Sequence, residues 1–345
     1  MRLVQITHPL SGRKVALVQE PFLFLLNDVT SVYDLVLEAI AGDTDLKAMI
    51  ENHISGSRLD YDAVYNGTLE WTFLPSFDCP ANPFGCLVSG TGLTHKNSAL
   101  NRQMMHQAEV GSQLTDSMKM YQWGLDGGQP ENGTIGSQPE WFYKGTGTIL
   151  RGHGQALTVP AYADDGGEEP EMAGVYIIDR SGQPFRVGFT TGNEFSDHVM
   201  EKKNYLYLAP SKLRTCAIGP ELVIDADFTN VEGTVSVLRG KNQVWSAPVH
   251  TGEQNMAHSL ANLEYHHFKY ADHRQPLQAH VHFFGADAFS FGAGVRLENG
   301  DQMRVHWEGL GRPLINPIQI ETGNEAFIEV KRVQEVSPKM TPPSV

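Results

Sequence analysis

The sequence predicts a β-rich α+β protein, with a small N-terminal α+β domain ahead of a larger β-rich one. Three observations lead there. The later part of the chain is a succession of short apolar runs broken by Gly and Pro: "GVYIID", "PFRVGFTTG", "ELVIDADF", "TVSVLRG", "AHVHFFG", "QMRVHWEG" and "AFIEVKRV". Helical spacing is confined to a few stretches. No segment recurs at a period of roughly 20–50 residues, which excludes a solenoid or propeller. A chain of 345 residues suits one large domain plus a smaller one, and can bury a core without a disulfide or metal to hold it.

In order along the chain, residues 2–6 and 14–19 read as strands around the turn "HPLSGR". Ser31 is an N-cap for a helix through Ile40, and a second helix spans Leu46–His53. "GTLEWTFLP" is a strand that Pro75 ends, and "PSFDCPANPFG" is a boundary. The expected domains are 1–78, 79–335 and a poorly ordered tail at 336–345. Beyond the boundary, "CLVSGTGL" is a strand and "NSALNRQMMHQAE" a helix. Residues 124–140, rich in Gly and Pro, are a surface loop, and 254–270 a helix.

With 26 Lys+Arg against 40 Asp+Glu, the net charge is −14. Such a chain repels nucleic acid and anionic membrane surfaces and offers no basic patch for phosphates. Three cysteines, an odd number, suit a reducing compartment. Cys79 and Cys86 have poor zinc spacing and read as ordinary thiols. The N-terminus lacks a secretory apolar segment, and no apolar run is long enough for a membrane span, so a cytoplasmic protein is expected.

The chemistry gathers at "EEPEMAGVYIID", residues 168–179. Residues two apart on a strand share a face, so Glu169 and Glu171 point the same way. Side by side, like charges raise each other's pKa unless a cation lies between them. Carboxylate oxygens suit a hard divalent ion such as Mg²⁺. Alone, the cluster also fits a solvated acidic edge, and Glu168 is expected to be solvated in either case. Downstream, "VGFTTGNEFSD" sets Glu194 where a hairpin return would bring a third acid to the pair. "LAPSKLRTCAIGPELV" sets Lys212 in a turn, expected to carry no core packing. Beside a metal and apolar walls its pKa can fall, fitting it for acid/base work or for polarising a substrate.

The order "FYKGTGTILRGHGQALTVPA", "EPEMAGVYI", "RVGFTTGNEFSD", "PSKLRTCAIGPELV", "FFGADAFSFG" and "LENGDQMRVHWEGLGRPLINPI" resembles the fumarylacetoacetate hydrolase superfamily over roughly residues 85–320. The resemblance implies a mixed β-sandwich or β-roll catalytic domain behind a small N-terminal domain, and a homodimer. It implies Mg²⁺, or Mn²⁺ or Ca²⁺, held by Glu169, Glu171 and Glu194, the last where the family usually has Asp. Lys144 and Lys212 match family lysines near the substrate, and Thr191 and Asn193 are candidate substrate contacts. Two departures stand out. The family hydrolases carry "GLNYRDHA", whose His activates water, whereas this chain reads "GLTHKNSA", with Ser98 in that place and His95 three residues earlier. The family's "GTP" turn becomes "GADAFSFG", with Ala286 for the Thr.

The superfamily also holds dehydratases of 2-keto-3-deoxy sugar acids, which need no activated water. The chain resembles these, implying a five-carbon 2-keto acid as small-molecule substrate and 2-oxoglutarate semialdehyde as product. Glu169, Glu171 and Glu194 would hold Mg²⁺, and Lys212 would act in proton transfer or polarisation, with Ser98, His95 and Lys144 in the pocket. Two alternatives stay open: a C–C hydrolase of acylpyruvates or a decarboxylase, and a non-catalytic carbohydrate-binding protein with structural Ca²⁺. His280 and His282 in "HVH" share a strand face but lack the rest of a cupin pattern. They and His258, His266, His267 and His273 read as hydrogen-bonded structural residues.

Overall fold

A computed structural model describes residues 1–110, 114–131 and 133–333. The expected tail at 336–345 lies outside the described residues. A 12-stranded sheet runs in the order Ile54–Asp60, Phe22–Leu26, Gly12–Gln19, Arg2–His8, Cys216–Val223, Pro184–Asn193, Pro170–Ile178, Ala279–Phe283, Cys86–Gly90, Phe142–Thr146, with two short strands off this path. A 5-stranded sheet runs Asn242–Thr251, Val231–Arg239, Gln302–Trp307, Leu314–Ile320, Leu157–Val159. The β-rich α+β architecture is thus observed.

The N-terminal segment joins the main sheet where Arg2 and Leu3 pair with Val223 and Leu222. The Phe22–Leu26 and Ile54–Asp60 strands escape a sequence reading. "FLFLL" is apolar without alternation, and "ISGSRLD" is mostly polar, as an edge strand can be. Among the helices, Val32–Ala41 starts as expected, with the Ser31 side chain accepting from Asp34 N. The helix expected at 254–270 is shorter, Leu260–Phe268, because Ser259 caps it by accepting from Asn262 N. The loop expected from residue 124 starts later, since the Asp116–Gly127 helix takes its first four residues. Gly124 is buried against Ala257 and His258, a contact that only tertiary packing supplies.

The site is positioned by the hairpin Pro170–Ile178/Pro184–Asn193, which pairs Pro170 with Asn193 and Glu171 with Gly192. Every residue of Pro170–Ile178 is buried, so beyond Glu171 its sequence is a continuous apolar run rather than an alternation. One face, through Ala173, Val175 and Ile177, packs into a core with Val88, Ile218, Val281 and Phe283. The other, through Met172, Tyr176 and Ile178, packs with Phe284, Leu263 and Trp307. The hairpin's open end carries the acids.

Candidate active site

Glu169 lies immediately before its strand, Glu171 on it, and Glu194 immediately after the partner strand. Antiparallel pairing brings the two ends together, and Glu194 N donates to Glu169 O at 3.0 Å. One carboxylate oxygen from each of Glu169, Glu171 and Glu194 lies within 4.8 Å of the others, and all three residues are buried. Glu171 is anchored from two sides. Its Oε2 accepts from Gly285 N at 2.6 Å, and its carbonyl accepts from Trp307 Nε1 at 3.0 Å. Gly285 has φ +99°, and a side chain there would meet Thr94 and Thr91 O, so glycine is what lets this N–H reach the carboxylate.

Lys212 sits in the turn that the sequence suggests but is 1% exposed, its Nζ 2.7 Å from Glu169 Oε1, 2.7 Å from Glu194 Oε2 and 2.9 Å from Ser196 Oγ. Its pKa does not fall. Burial acts to lower it, but Glu169, Glu194 and Glu201 outweigh burial and hold it above its ordinary value. It is therefore a fixed cation, and its contribution to a buried charge network corrects the expectation of a turn residue without packing. For Glu169, burial acts upward, but Lys212 and His198 hold the carboxyl well below its usual range. Glu171 goes the other way, pushed well up by burial and by Glu194 and Glu169. Glu194 rises to about 7, mainly from burial, with Lys144 and Lys212 opposing.

Glu168 is a second correction. It is 0% exposed, accepting from Ser290 N at 2.6 Å and Ser290 Oγ at 2.8 Å. It fastens the loop that carries Phe289 over the site.

The acids open on a cleft lined by Glu169, Glu171, Lys212, Ser98, Phe142, Gly285, Ala286 and Phe289, with Arg102, His198 and Glu201. Both positions of family departure, Ser98 and Ala286, therefore face it. Besides Glu194, four expected site residues do not line it. Lys144 is buried behind Glu194, 2.6 Å from its Oε1, and donates to Phe195 O at 2.7 Å. Asn193 Oδ1 accepts from Glu169 N at 3.3 Å. Thr191 is buried opposite Met172. His95 lies between Thr94 Oγ1 at 2.9 Å and Thr251 Oγ1 at 3.2 Å, and burial lowers its pKa to about 4.

Sequence reasoning missed Arg102, His198 and Glu201. His198 and Glu201 stand at i and i+3 of the His198–Lys203 helix, on one face, behind the N-cap Asp197, which accepts from Met200 N. The cap and spacing were there to be read one residue beyond "GNEFSD". His198 Nε2 lies 2.9 Å from Glu169 Oε1, and its ring stacks on Phe289 at 4.7 Å and 7°. Arg102 projects from the Lys96–Val110 helix, its Nη1 2.9 Å from Glu140 Oε1 and its Nε 2.7 Å from Glu201 Oε1.

No protein-family model matches the chain. Over 121 residues, 34% of this chain, it is 30% identical to 2-dehydro-3-deoxy-D-arabinonate dehydratase of Saccharolobus solfataricus, covering 39% of that protein. Over 121 residues, again 34% of this chain, it is 31% identical to a probable 2-keto-3-deoxyxylonate dehydratase of Haloferax volcanii, covering 40% of that protein. The matches thus span about two fifths of these curated relatives. Among solved structures, a 2-keto-3-deoxy-D-arabinonate dehydratase complexed with magnesium and 2,5-dioxopentanoate superposes with TM-score 0.69 at 18% identity, covering 94% of this chain and 100% of that one. The chain has the fold of that enzyme. A 5-carboxymethyl-2-hydroxymuconate delta-isomerase from Mycobacterium smegmatis shares it more loosely, with TM-score 0.57 at 18% identity over 93% of this chain and 100% of that one. The resemblance to the fumarylacetoacetate hydrolase superfamily read from the motifs therefore holds for the fold. No helix of the described residues is long and apolar enough to cross a membrane.

Proposed function

We propose that the protein is a Mg²⁺-dependent dehydratase of a 2-keto-3-deoxy-pentonate, releasing water and 2-oxoglutarate semialdehyde. One observation carries the reading: three buried carboxylates converge on a cleft beside a fixed ammonium, and that cleft presents Ser98 where the related hydrolases hold a water-activating histidine. The similarity to two dehydratases of such acids supports it.

The donor set fits a divalent ion. Burial first, and then the neighbouring carboxylates, raise Glu171 and Glu194 within a trio whose oxygens lie within 4.8 Å, and a cation among them would relieve both. Glu169, Glu171 and Glu194 would hold Mg²⁺, with Mn²⁺ or Ca²⁺ as substitutes. The ion would supply positive charge to a chelated 2-keto acid and so acidify its C3 protons. Lys212, permanently charged, would counter negative charge developing on the substrate rather than take up a proton. Phe142, Phe289 and Leu93 would keep the cleft dry. A homodimer in the cytoplasm completes the reading.

The test is incubation with 2-keto-3-deoxy-D-pentonate, Mg²⁺ and a semialdehyde dehydrogenase, following NAD(P)H. A Mg²⁺-dependent signal is expected. No signal, with pyruvate released from a diketo acid instead, would replace the dehydratase with a hydrolase. Substrate binding without turnover would leave a binding protein.

A further inference from the structure

We infer that Glu201 is the catalytic acid/base, the group that takes the C3 proton and returns it to the leaving hydroxyl. The inference rests on the keto-acid reading above and names the group that performs the proton transfer.

It follows from what each polar group on the cleft is already doing. Glu169 and Glu171, with Glu194 behind, form the acid trio. Lys212 Nζ donates to Glu169, Glu194 and Ser196 and so has no lone pair turned to the cleft. Arg102 is a permanent cation. The Ser98 hydroxyl donates to His95 O at 3.1 Å. His198 spends Nε2 on Glu169, and its Nδ1 is buried without a partner against Gly167, where an added side chain would meet that nitrogen at 2.5 Å. Glu201 differs from all of these. It lines the cleft, stands outside the acid trio, and lies near enough to Lys212 and His198 for its charge to act on both. Its Oε1 is fixed 2.7 Å from Arg102 Nε. The carboxylate is 3% exposed and held by an ion pair whose other arm reaches Glu140. It is thus oriented at the cleft, as a general base must be.

The step balances. Glu201 takes a proton from C3, and the C–H electron pair moves toward the C2 carbonyl. That pair then forms the C3–C4 double bond, and the C4–O bond breaks with its electrons leaving on oxygen. The departing hydroxide collects the proton from Glu201 and leaves as water, returning the carboxylate to its starting form. The 5-hydroxy-2-oxopent-3-enoate so formed becomes the semialdehyde when a proton moves from C5 to C3 and the resulting C4–C5 enol tautomerises, with no further reactant.

Exchange of C3 protons of 2-oxobutyrate in D₂O with Mg²⁺, followed by NMR, isolates the first half of this step. Wild type is expected to exchange, and Glu201→Gln to lose exchange and dehydration together by on the order of 10²–10⁴-fold. Glu201→Gln should still bind Mg²⁺ and oxalate within about threefold of wild type by calorimetry, and Glu201→Asp should recover part of the exchange. Arg102→Gln, which loosens the same ion pair without removing the carboxylate, should retain more exchange than Glu201→Gln. If Glu201→Gln exchanges at the wild-type rate, Glu201 is not the base. If it loses exchange only in step with lost oxalate binding, its role is structural and the inference falls. Exchange by wild type without turnover of the pentonate would overturn the substrate reading and leave the base assignment standing. Absence of exchange in wild type would overturn both.

Discussion

Two buried polar clusters lie on opposite faces of one sheet, and they are built on opposite principles. Strand alternation separates them, since Ala173, on the face of Glu171, pairs with Phe283, while Gly174 pairs with His282. On the first face three acids crowd around the Lys212 ammonium beside a cleft. On the second, His282 lies between Ser89 Oγ at 2.9 Å and Thr91 Oγ1 at 2.7 Å, and His267 Nε2 meets His280 Nδ1 at 3.0 Å. Trp141 Nε1 donates to His267 Nδ1 at 3.2 Å. Burial, and the nearby His273, lower His282 and His280 to about 3, so both are neutral at physiological pH. A neutral imidazole surrounded by hydroxyls has its hydrogen bonds met and asks for nothing more. Three acids sharing one end of a hairpin also have partners, but only two lysines, Lys144 and Lys212, stand against three carboxylates, and acids so crowded at a cleft point to a functional site. The motif "HVH" and the motif "EPE" look equally suggestive on paper; the balance of charge separates them.

The division can be broken at several points. The largest expected effect is on the charged face. Glu171→Gln or Glu194→Gln should abolish Mg²⁺ binding measurable by calorimetry and reduce turnover more than about 10²-fold. Wild-type Mg²⁺ affinity in both would remove the metal assignment. Lys212→Met should also lose most activity, and it should destabilise the metal-free protein by about 3–5 kcal/mol, because Glu169 and Glu194 lose a buried partner. Equal denaturation midpoints for variant and wild type, both in EDTA, would contradict the buried network.

The histidine face should answer to pH and leave the metal alone. His280 and His282 bind protons near pH 6.5 when unfolded but only near 3 when folded. The unfolded state therefore holds more protons between those values, and stability is lost as pH falls through that window. The loss is about 1.4 kcal/mol per pH unit for each histidine. His282→Gln should flatten this slope in thermal melts from pH 7 to 4 while leaving Mg²⁺ affinity unchanged. A changed Mg²⁺ affinity would show that the two faces communicate. The smallest effect is expected at Glu168. Glu168→Ala should cost about 1–3 kcal/mol by orphaning the Ser290 N–H, and Glu168→Gln less than that, since an amide can still accept from it. An unaltered melting temperature for Glu168→Ala would return Glu168 to the solvated role its sequence suggests.

Much of the site was legible because it is local. The period of two placed Glu169 and Glu171 together, and the next strand, which runs through Gly192 and Asn193 instead of turning there, returns to deliver Glu194. Ser98 and Ala286, singled out as departures from a motif, both reach the cleft. The misreadings share a cause. Glu168 looks solvated because three acids in four residues normally are, and Ser290, which buries it, comes from 122 positions away. Lys144 and Lys212 look alike in a motif, yet one stands behind Glu194 and the other beside it on the cleft. Arg102, Glu140 and Glu201 carry no mutual signal, since two come from different helices and Glu140 from the stretch between a helix and a strand.

By itself the sequence determined the strand-rich architecture, the hairpin and the acid trio, because hydrophobic period, turn chemistry and short-range pairing act within a few tens of residues. Tertiary structure alone decided which acid is charged, that Lys212 stays protonated, and that Glu201 faces the cleft. Those outcomes depend on burial and on charges brought together from distant segments, and neither quantity exists until the chain has folded.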